Sequence, residues 1–291
     1  MNVKKEAFAG WMFLLPALVI FLTLVVLAIL MSFGISFAKW NFLSGISGIK
    51  WVGFDNFIKL FTADRKFVMA LINTVIYAVT TTPISILLAL LFAYLLNDKV
   101  YFKKFNRLCF FIPYISSMVA LTAVFRFLFR SDGPINAILM DVFHISEIPK
   151  WLTNSEINKI PVICVMIYAG VGFSLIVYMA ALQNIPREIY EASTIDGANS
   201  FTQFVKIIFP MISPTTFYLC IVRLIAAFKV FTSINVMGIA DTAPSLVTEI
   251  YSGAFRSYNF GYASAESWIL VALILIITLI QFRIQKKWVH Y

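Results

Sequence analysis

The residues best suited to chemistry with a partner lie together, from Pro186 to Pro210, in the segment PREIYEASTIDGANSFTQFVKIIFP. Glu188, Glu191 and Asp196 supply carboxylates, Gly197 supplies conformational freedom, and Pro210 supplies a stop. This set suits charge-directed docking and offers no nucleophile–base pair for catalysis. Its spacing predicts two short helices. Pro186 suits a first helical turn, and Glu188 and Glu191 favour the positive end of the helix that follows. Ile189, Ala192 and Ile195 form one apolar stripe, and Asp196-Gly197 breaks the run, glycine allowing a left-handed or tight turn. Asn199 or Ser200 caps a second amphipathic helix with Phe201, Phe204, Val205 and Ile208 on one side, and Pro210 and Pro214 end it. Helices that rest on lipid headgroups are usually rich in Lys and Arg on the polar face. The first helix here is acidic, with only Arg187 opposing its carboxylates, so a basic groove on a protein is the expected partner.

Other chemistry is missing from the sequence. There is no G-x-x-x-x-G-K-[ST] phosphate loop, so the chain is not expected to cradle ATP itself. His144 and His290 stand far apart without companion ligands, so no metal site is expected. The acidic residues fall mostly in loops, with no intramembrane carboxylate pair of the kind proton relays use. Cys109, Cys164 and Cys220 are odd in number and sit in apolar runs, which fits small buried hydrophobes better than a disulfide framework.

The elements that must position the docking segment are membrane helices. Of 291 residues, 61% are apolar and 13% charged, and the mean hydropathy is +0.89. Crossing the hydrocarbon core takes about 20 apolar residues as helix. Six runs qualify, roughly 11–38, 69–97, 108–129, 160–182, 213–238 and 265–284. They lack the alternation of a barrel strand, so the expected fold is all-α, a single membrane domain over 1–291 in contact with lipid. The first run is too long for a signal peptide's apolar region and reads as a retained helix. The net charge of +9 reflects topology rather than nucleic-acid binding, because the densest basic clusters, Lys99 to Arg107 and Arg283 to Lys287, fall on one side. That side is then cytoplasmic, together with both termini and the loop 183–212. The outer loop 39–68, with Trp40, Trp51, Phe54, Phe57 and Phe61, suits an interfacial aromatic belt.

The docking segment resembles the inner loop of the membrane subunits of ATP-binding-cassette importers, whose pattern is EAA, three residues, G, nine residues, I-x-L-P. Here it reads Glu191-Ala192-Ser193, Gly197, Ile207 and Phe209-Pro210, with every interval kept and with serine and phenylalanine as departures. Trp51-Val52-Gly53-Phe54-Asp55-Asn56-Phe57, Asn73-Thr74, Ala180 to Pro186 and Phe260 to Ala265 resemble the first permease of the carbohydrate-importer heterodimer. The resemblance implies a type I importer permease in a prokaryotic plasma membrane. Implied partners are a second permease, two cytoplasmic ATPase subunits that bind ATP and Mg, and an extracytoplasmic solute-binding protein. Glu191, Ala192, Ser193, Asp196, Gly197, Ile207 and Pro210 are then the ATPase-coupling residues, with Glu191 facing a basic residue of the ATPase. A permease for another solute, such as an amino acid or phosphate ester, is the alternative, and a non-transporting membrane scaffold is the remote one.

The same resemblance places bound sugar near Gly170, Phe173 and the stretch Phe228 to Asn235, which contains Lys229. A rise of about 1.5 Å per residue from Ser213 sets Arg223 near mid-membrane and Lys229 in its outer half. An unpaired ammonium in a cavity is costly unless something anionic visits it. The expectation is an acidic sugar, such as a uronate-containing oligosaccharide or a sialic acid, with Lys229 contacting its carboxylate.

Overall fold

The long apolar runs fold as helix, which satisfies its own backbone groups where water is scarce. The computed structural model describes residues 3–97, 103–145 and 147–289; Lys99 of the basic cluster and His290 lie outside them. In chain order, α1 (Val3–Ile20) passes through a widened π turn into α2 (Leu27–Ser36). A short antiparallel ribbon, β1 (Ala38–Lys39) with β2 (Lys50–Trp51), leads to α3 (Asp55–Thr62). Next come α4 (Arg65–Asn97), α5 (Lys103–Ile115), α6 (Met118–Leu128), α7 (Pro134–Asp141) and α8 (Lys159–Gln183). They are followed by α9 (Arg187–Ile195), then α10 (Ser200–Gln203) and α11 (Phe209–Met211) joined by a π turn. The chain ends with α12 (Ser213–Phe228), α13 (Thr232–Met237), α14 (Leu246–Tyr251) and α15 (Phe260–Gln285). Among the described residues the ribbon is the only strand structure.

Four helices are long and apolar enough to cross a membrane unbroken: Gly10–Ser36, Arg65–Leu96, Lys159–Gln183 and Phe260–Gln285. Two expected spans are not straight. The run 108–129 divides into Leu108–Ile115 and Met118–Leu128, which meet at 106°. Pro113 removes one backbone donor just before the break, and Ser117 turns the chain out of helix with ψ 127°. The run 213–238 stops at Phe228: Lys229 (φ −95°, ψ 16°) and Phe231 (φ −141°, ψ −58°) leave helical geometry, and α13 restarts at Thr232. Neither Pro nor Gly lies at this second break. A tertiary bond holds it instead, with Ser245 Oγ donating to the Val230 carbonyl at 2.6 Å.

The chain divides into two compact units. One comprises Met1–Phe67 and Glu249–Leu270. Within it, buried Asn56 donates to the carbonyls of Ser36 and Ala38 at 2.9 and 3.0 Å, tying α3 to the end of α2. Asp64 Oδ1 accepts from the backbone N–H groups of Lys66 and Phe67 at the start of α4, while its Oδ2 accepts from the Tyr262 hydroxyl. Gly261 donates its N–H to the Trp40 carbonyl and lies flat against the ribbon: a Cβ there would meet the Ala38 carbonyl oxygen at 2.1 Å. The ring of Phe37 lies 5.2–5.9 Å from those of Trp51, Phe54 and Phe57, and Trp51, Phe54 and Phe61 present exposed aromatic surface.

The second unit, Val68–Thr248 with Val271–Tyr291, holds the main core. Ile86, Ala89, Leu90, Ala93 and Leu96 of α4 pack with Leu175, Tyr178, Met179 and Leu182 of α8 and Leu219 of α12. Small residues permit close approach, as membrane helices without a hydrophobic driving force require. A Cβ at Gly172 of α8 would sit 2.5 Å from the Phe110 carbonyl of α5. The loop after α13 is pinned by side chains: Asn73 donates to the Pro244 carbonyl, Tyr77 to that of Ala243, and Asn158 to Thr242 Oγ1. Thr74 Oγ1 accepts the N–H of Leu246.

The Gly261 contact makes a paired prediction. Gly261→Ala pushes a methyl into backbone that cannot yield and should destabilise by about 1–3 kcal/mol. Gly34→Ala, where a Cβ meets nothing within 4 Å, should be neutral or stabilise by up to about 1 kcal/mol through helix propensity. Thermal unfolding of both variants, followed by tryptophan fluorescence, checks the ordering; equal midpoints contradict the close approach.

Candidate functional site

The loop between α8 and α12 is a closed, capped unit. Helix α9 ends at Ile195 with Asp196 as its C-cap, and Gly197 adopts φ +79°, the left-handed region. The N–H of Ala198 reaches the Ser193 carbonyl and that of Gly197 the Thr194 carbonyl, the paired bonds of a Schellman motif. Asn199 then caps the next helix, its side chain accepting from the Thr202 N–H at 2.8 Å. Gln203 clasps the two helices by donating to Ser193 Oγ and to the Tyr190 carbonyl. Ser193 is buried for this reason, whereas Glu191, Ala192, Asp196 and Gly197 are exposed.

The second helix faces two ways. Ile208 is buried in the core beside Ile212, with Phe204 packed against that core and its ring 4.8 Å from Tyr94 of α4. Ile207 and Pro210 are half-buried. By contrast Phe201 is 77% exposed, and Ile195 on the first helix 85%. The predicted single stripe of Phe201, Phe204, Val205 and Ile208 is therefore split, because the π turn Phe204–Ile208 widens the helix and rotates its faces. Two large apolar side chains and three carboxylates without ion pairs among the described residues share the uncovered surface. Such a patch is built to be covered.

Both broken spans line one cavity of about 280 Å³ in the second unit. Tyr114 and Ser116 come from the α5–α6 break, Lys229 and Thr232 from the α12–α13 break, and Met166 and Ala169 from α8. Arg223 of α12 also lines it; its Nη2 lies 3.4 Å from the Met166 carbonyl, and its buried Nε has no hydrogen-bond partner among the described residues. Of the expected path residues, Lys229 faces the cavity. Gly170 lies behind Arg223, where a Cβ would meet the guanidinium at 2.0 Å. Phe173 backs Tyr114, the rings 5.2 Å apart. Phe228 is buried at 1% exposure, and Asn235 turns back to donate to the Phe231 carbonyl.

Residues 56–290 match the family described as binding-protein-dependent transport system inner membrane components. The chain belongs to this family. It is 32% identical to the probable ABC transporter permease protein YesP of Bacillus subtilis (strain 168), with all of this chain and 94% of that one aligned. It is also 32% identical to the lactose transport system permease protein LacF of Rhizobium radiobacter, over 94% and 92% of the two chains. Among solved structures it is similar to a chain of a bacterial ABC transporter involved in import of the acidic polysaccharide alginate, with TM-score 0.80 and 25% identity, covering 97% and 96% of the two chains. The protein is thus an all-α membrane permease of the importer type.

Three features of this inner membrane component were not foreseen from its sequence. Gln203 as clasp leaves no pattern beyond a polar residue on a helix. The α5–α6 break had a signal in Pro113 and Ser116-Ser117, within a run otherwise apolar enough to read as one span. Arg126, in the last turn of α6, donates to the Val236 carbonyl at 3.0 Å and so closes the last turn of α13.

The loop geometry makes a local prediction. Gly197→Ala forces a Cβ into the left-handed region at about 1–2 kcal/mol, which should speed amide exchange across residues 193–200 by about 5- to 30-fold. Gly197→Asn should lie between the two, since asparagine tolerates that conformation. Unchanged exchange in the alanine variant contradicts the Schellman closure.

Proposed function

We propose that this chain is one permease subunit of an ATP-driven carbohydrate importer in a prokaryotic plasma membrane, with both termini cytoplasmic. It works beside a second permease, two cytoplasmic ATPase subunits that bind ATP and Mg, and an extracytoplasmic solute-binding protein. The observation that carries the reading is the two-sided loop 183–212. Its outer side leaves Glu191, Ile195, Asp196 and Phe201 uncovered, while its inner side, through Phe204, Ile208 and Ile212, is continuous with the core of α4, α8 and α12. A load applied to the outer side passes into α8 and α12, the helices that supply Met166, Ala169 and Arg223 to the cavity.

The division of labour follows. The ATPases close on ATP, the acidic and apolar face of α9 seats in a basic groove, and the loop moves as a rigid body because its turn, cap and clasp are all made. The broken spans then open toward one side of the membrane or the other. Sugar as the solute is supported by the family relationship and by the lactose and alginate systems to which the chain is similar. The chain makes and breaks no covalent bonds. Its work is conformational.

Glu191→Lys and Ile195→Asp each spoil the docking face without touching the core. Both variants should insert and assemble normally in the reconstituted complex yet lose solute-dependent ATP hydrolysis by an order of magnitude or more. Retention of wild-type stimulation in both contradicts the coupling role.

A further inference from the structure

The cavity between the broken spans carries an unbalanced charge. Arg223 and Lys229 both line it, and no carboxylate does: the remaining walls are Pro113, Tyr114, Ser116, Met118 and the apolar and hydroxyl residues of 166–169 and 226–233. The ion pairs made by the described residues, Lys59–Asp55 and Arg130–Asp132, involve neither cation. Arg223 is further committed by its seat. Its guanidinium lies against the backbone of Gly170, which leaves room for it by having no side chain, and the bond from Nη2 to the Met166 carbonyl meets only part of its donor capacity. A neutral oligosaccharide would leave both cations to be balanced by water alone. A carboxylate on the solute would satisfy them.

We infer that the transported solute is an acidic saccharide whose carboxylate is held between Arg223 and Lys229, with Gly170 setting the position of the guanidinium. This rests on the sugar-importer reading and names the class of sugar. The site is suited to discriminating charge because half-buried Arg223 and exposed Lys229 line the same cavity and together offer two positive donors, which attract a carboxylate more strongly than a hydroxyl. Tyr114, in the same lining, offers an aromatic face to a sugar ring. The cavity, near the lower end of the roughly 300–1,000 Å³ of common ligand sites, has room for one end of an oligosaccharide rather than the whole.

The test uses the complete complex with its solute-binding protein in proteoliposomes, and three probes: trigalacturonate, its fully methyl-esterified form, and glycerol 3-phosphate. Wild type should take up trigalacturonate in preference to the ester. Lys229→Gln and Arg223→Gln should each lower trigalacturonate uptake by about 10-fold or more relative to uptake of the ester. Gly170→Ala, which shifts the guanidinium without removing its charge, should lower the same preference, and since only the end of a flexible side chain has to move, that variant remains folded. Solute-independent ATP hydrolysis reports assembly in each case. Uptake of the ester but not trigalacturonate by wild type overturns the inference and leaves the sugar reading standing, as does an equal fall for both saccharides in the variants, which marks the cations as structural or paired by the second permease. Uptake of glycerol 3-phosphate with neither saccharide overturns the sugar reading and this inference together.

Discussion

The structure depends on one constraint: backbone N–H and C=O groups at membrane depth need partners supplied by the protein. Continuous helix meets that demand without help, which is why Arg65–Leu96 and Lys159–Gln183 run unbroken. Breaks are permitted only where other groups complete the bonding or where a polar cavity receives them. At the second break Ser245 serves the Val230 carbonyl, and beyond it Asn73, Thr74, Tyr77 and Asn158 serve the loop 239–246. Each of these side chains is buried and makes a hydrogen bond with backbone or with a hydroxyl. The first break opens beside the same cavity. Interrupted helix and cavity therefore go together, since backbone leaves helix at membrane depth only where protein groups or a cavity receive it.

The loop 183–212 answers a different constraint: short isolated helices are marginal in water. Here the two helices are closed end to end by the Gly197 turn, capped at Asn199 and clasped by Gln203, so bending one moves the other. Fully burying Ile195 and Phe201 against a partner would contribute about 1.5–3 kcal/mol each. That is enough to favour docking and modest enough to let the carboxylates choose the partner by charge.

Much of this was legible in the residues. The apolar runs, the docking loop and its glycine turn follow from composition, from periodicity and from the fixed interval between Glu191 and Gly197. The breaks were less legible, for separate reasons. At 116–117 the signal, Pro113 with a serine pair, sits inside a run whose mean hydropathy reads as one span. At 229–231 there is no local breaker at all; the interruption is imposed by Ser245, whose reach to Val230 depends on tertiary fold. The resemblance placed Phe228 and Asn235, with Lys229, near bound sugar; in the structure Phe228 is buried and Asn235 donates to the Phe231 carbonyl.

That the two breaks line a water-filled cavity is tested by thiol accessibility. With the three native cysteines replaced, single cysteines at Ser116 and Thr232 and at the exposed helix positions Val79 and Leu87 would be probed in membranes with a hydrophilic maleimide. Modification at Ser116 and Thr232 is expected at rates well above those at Val79 and Leu87, with both slowed by transported solute. Equal, negligible rates at all four positions would contradict it.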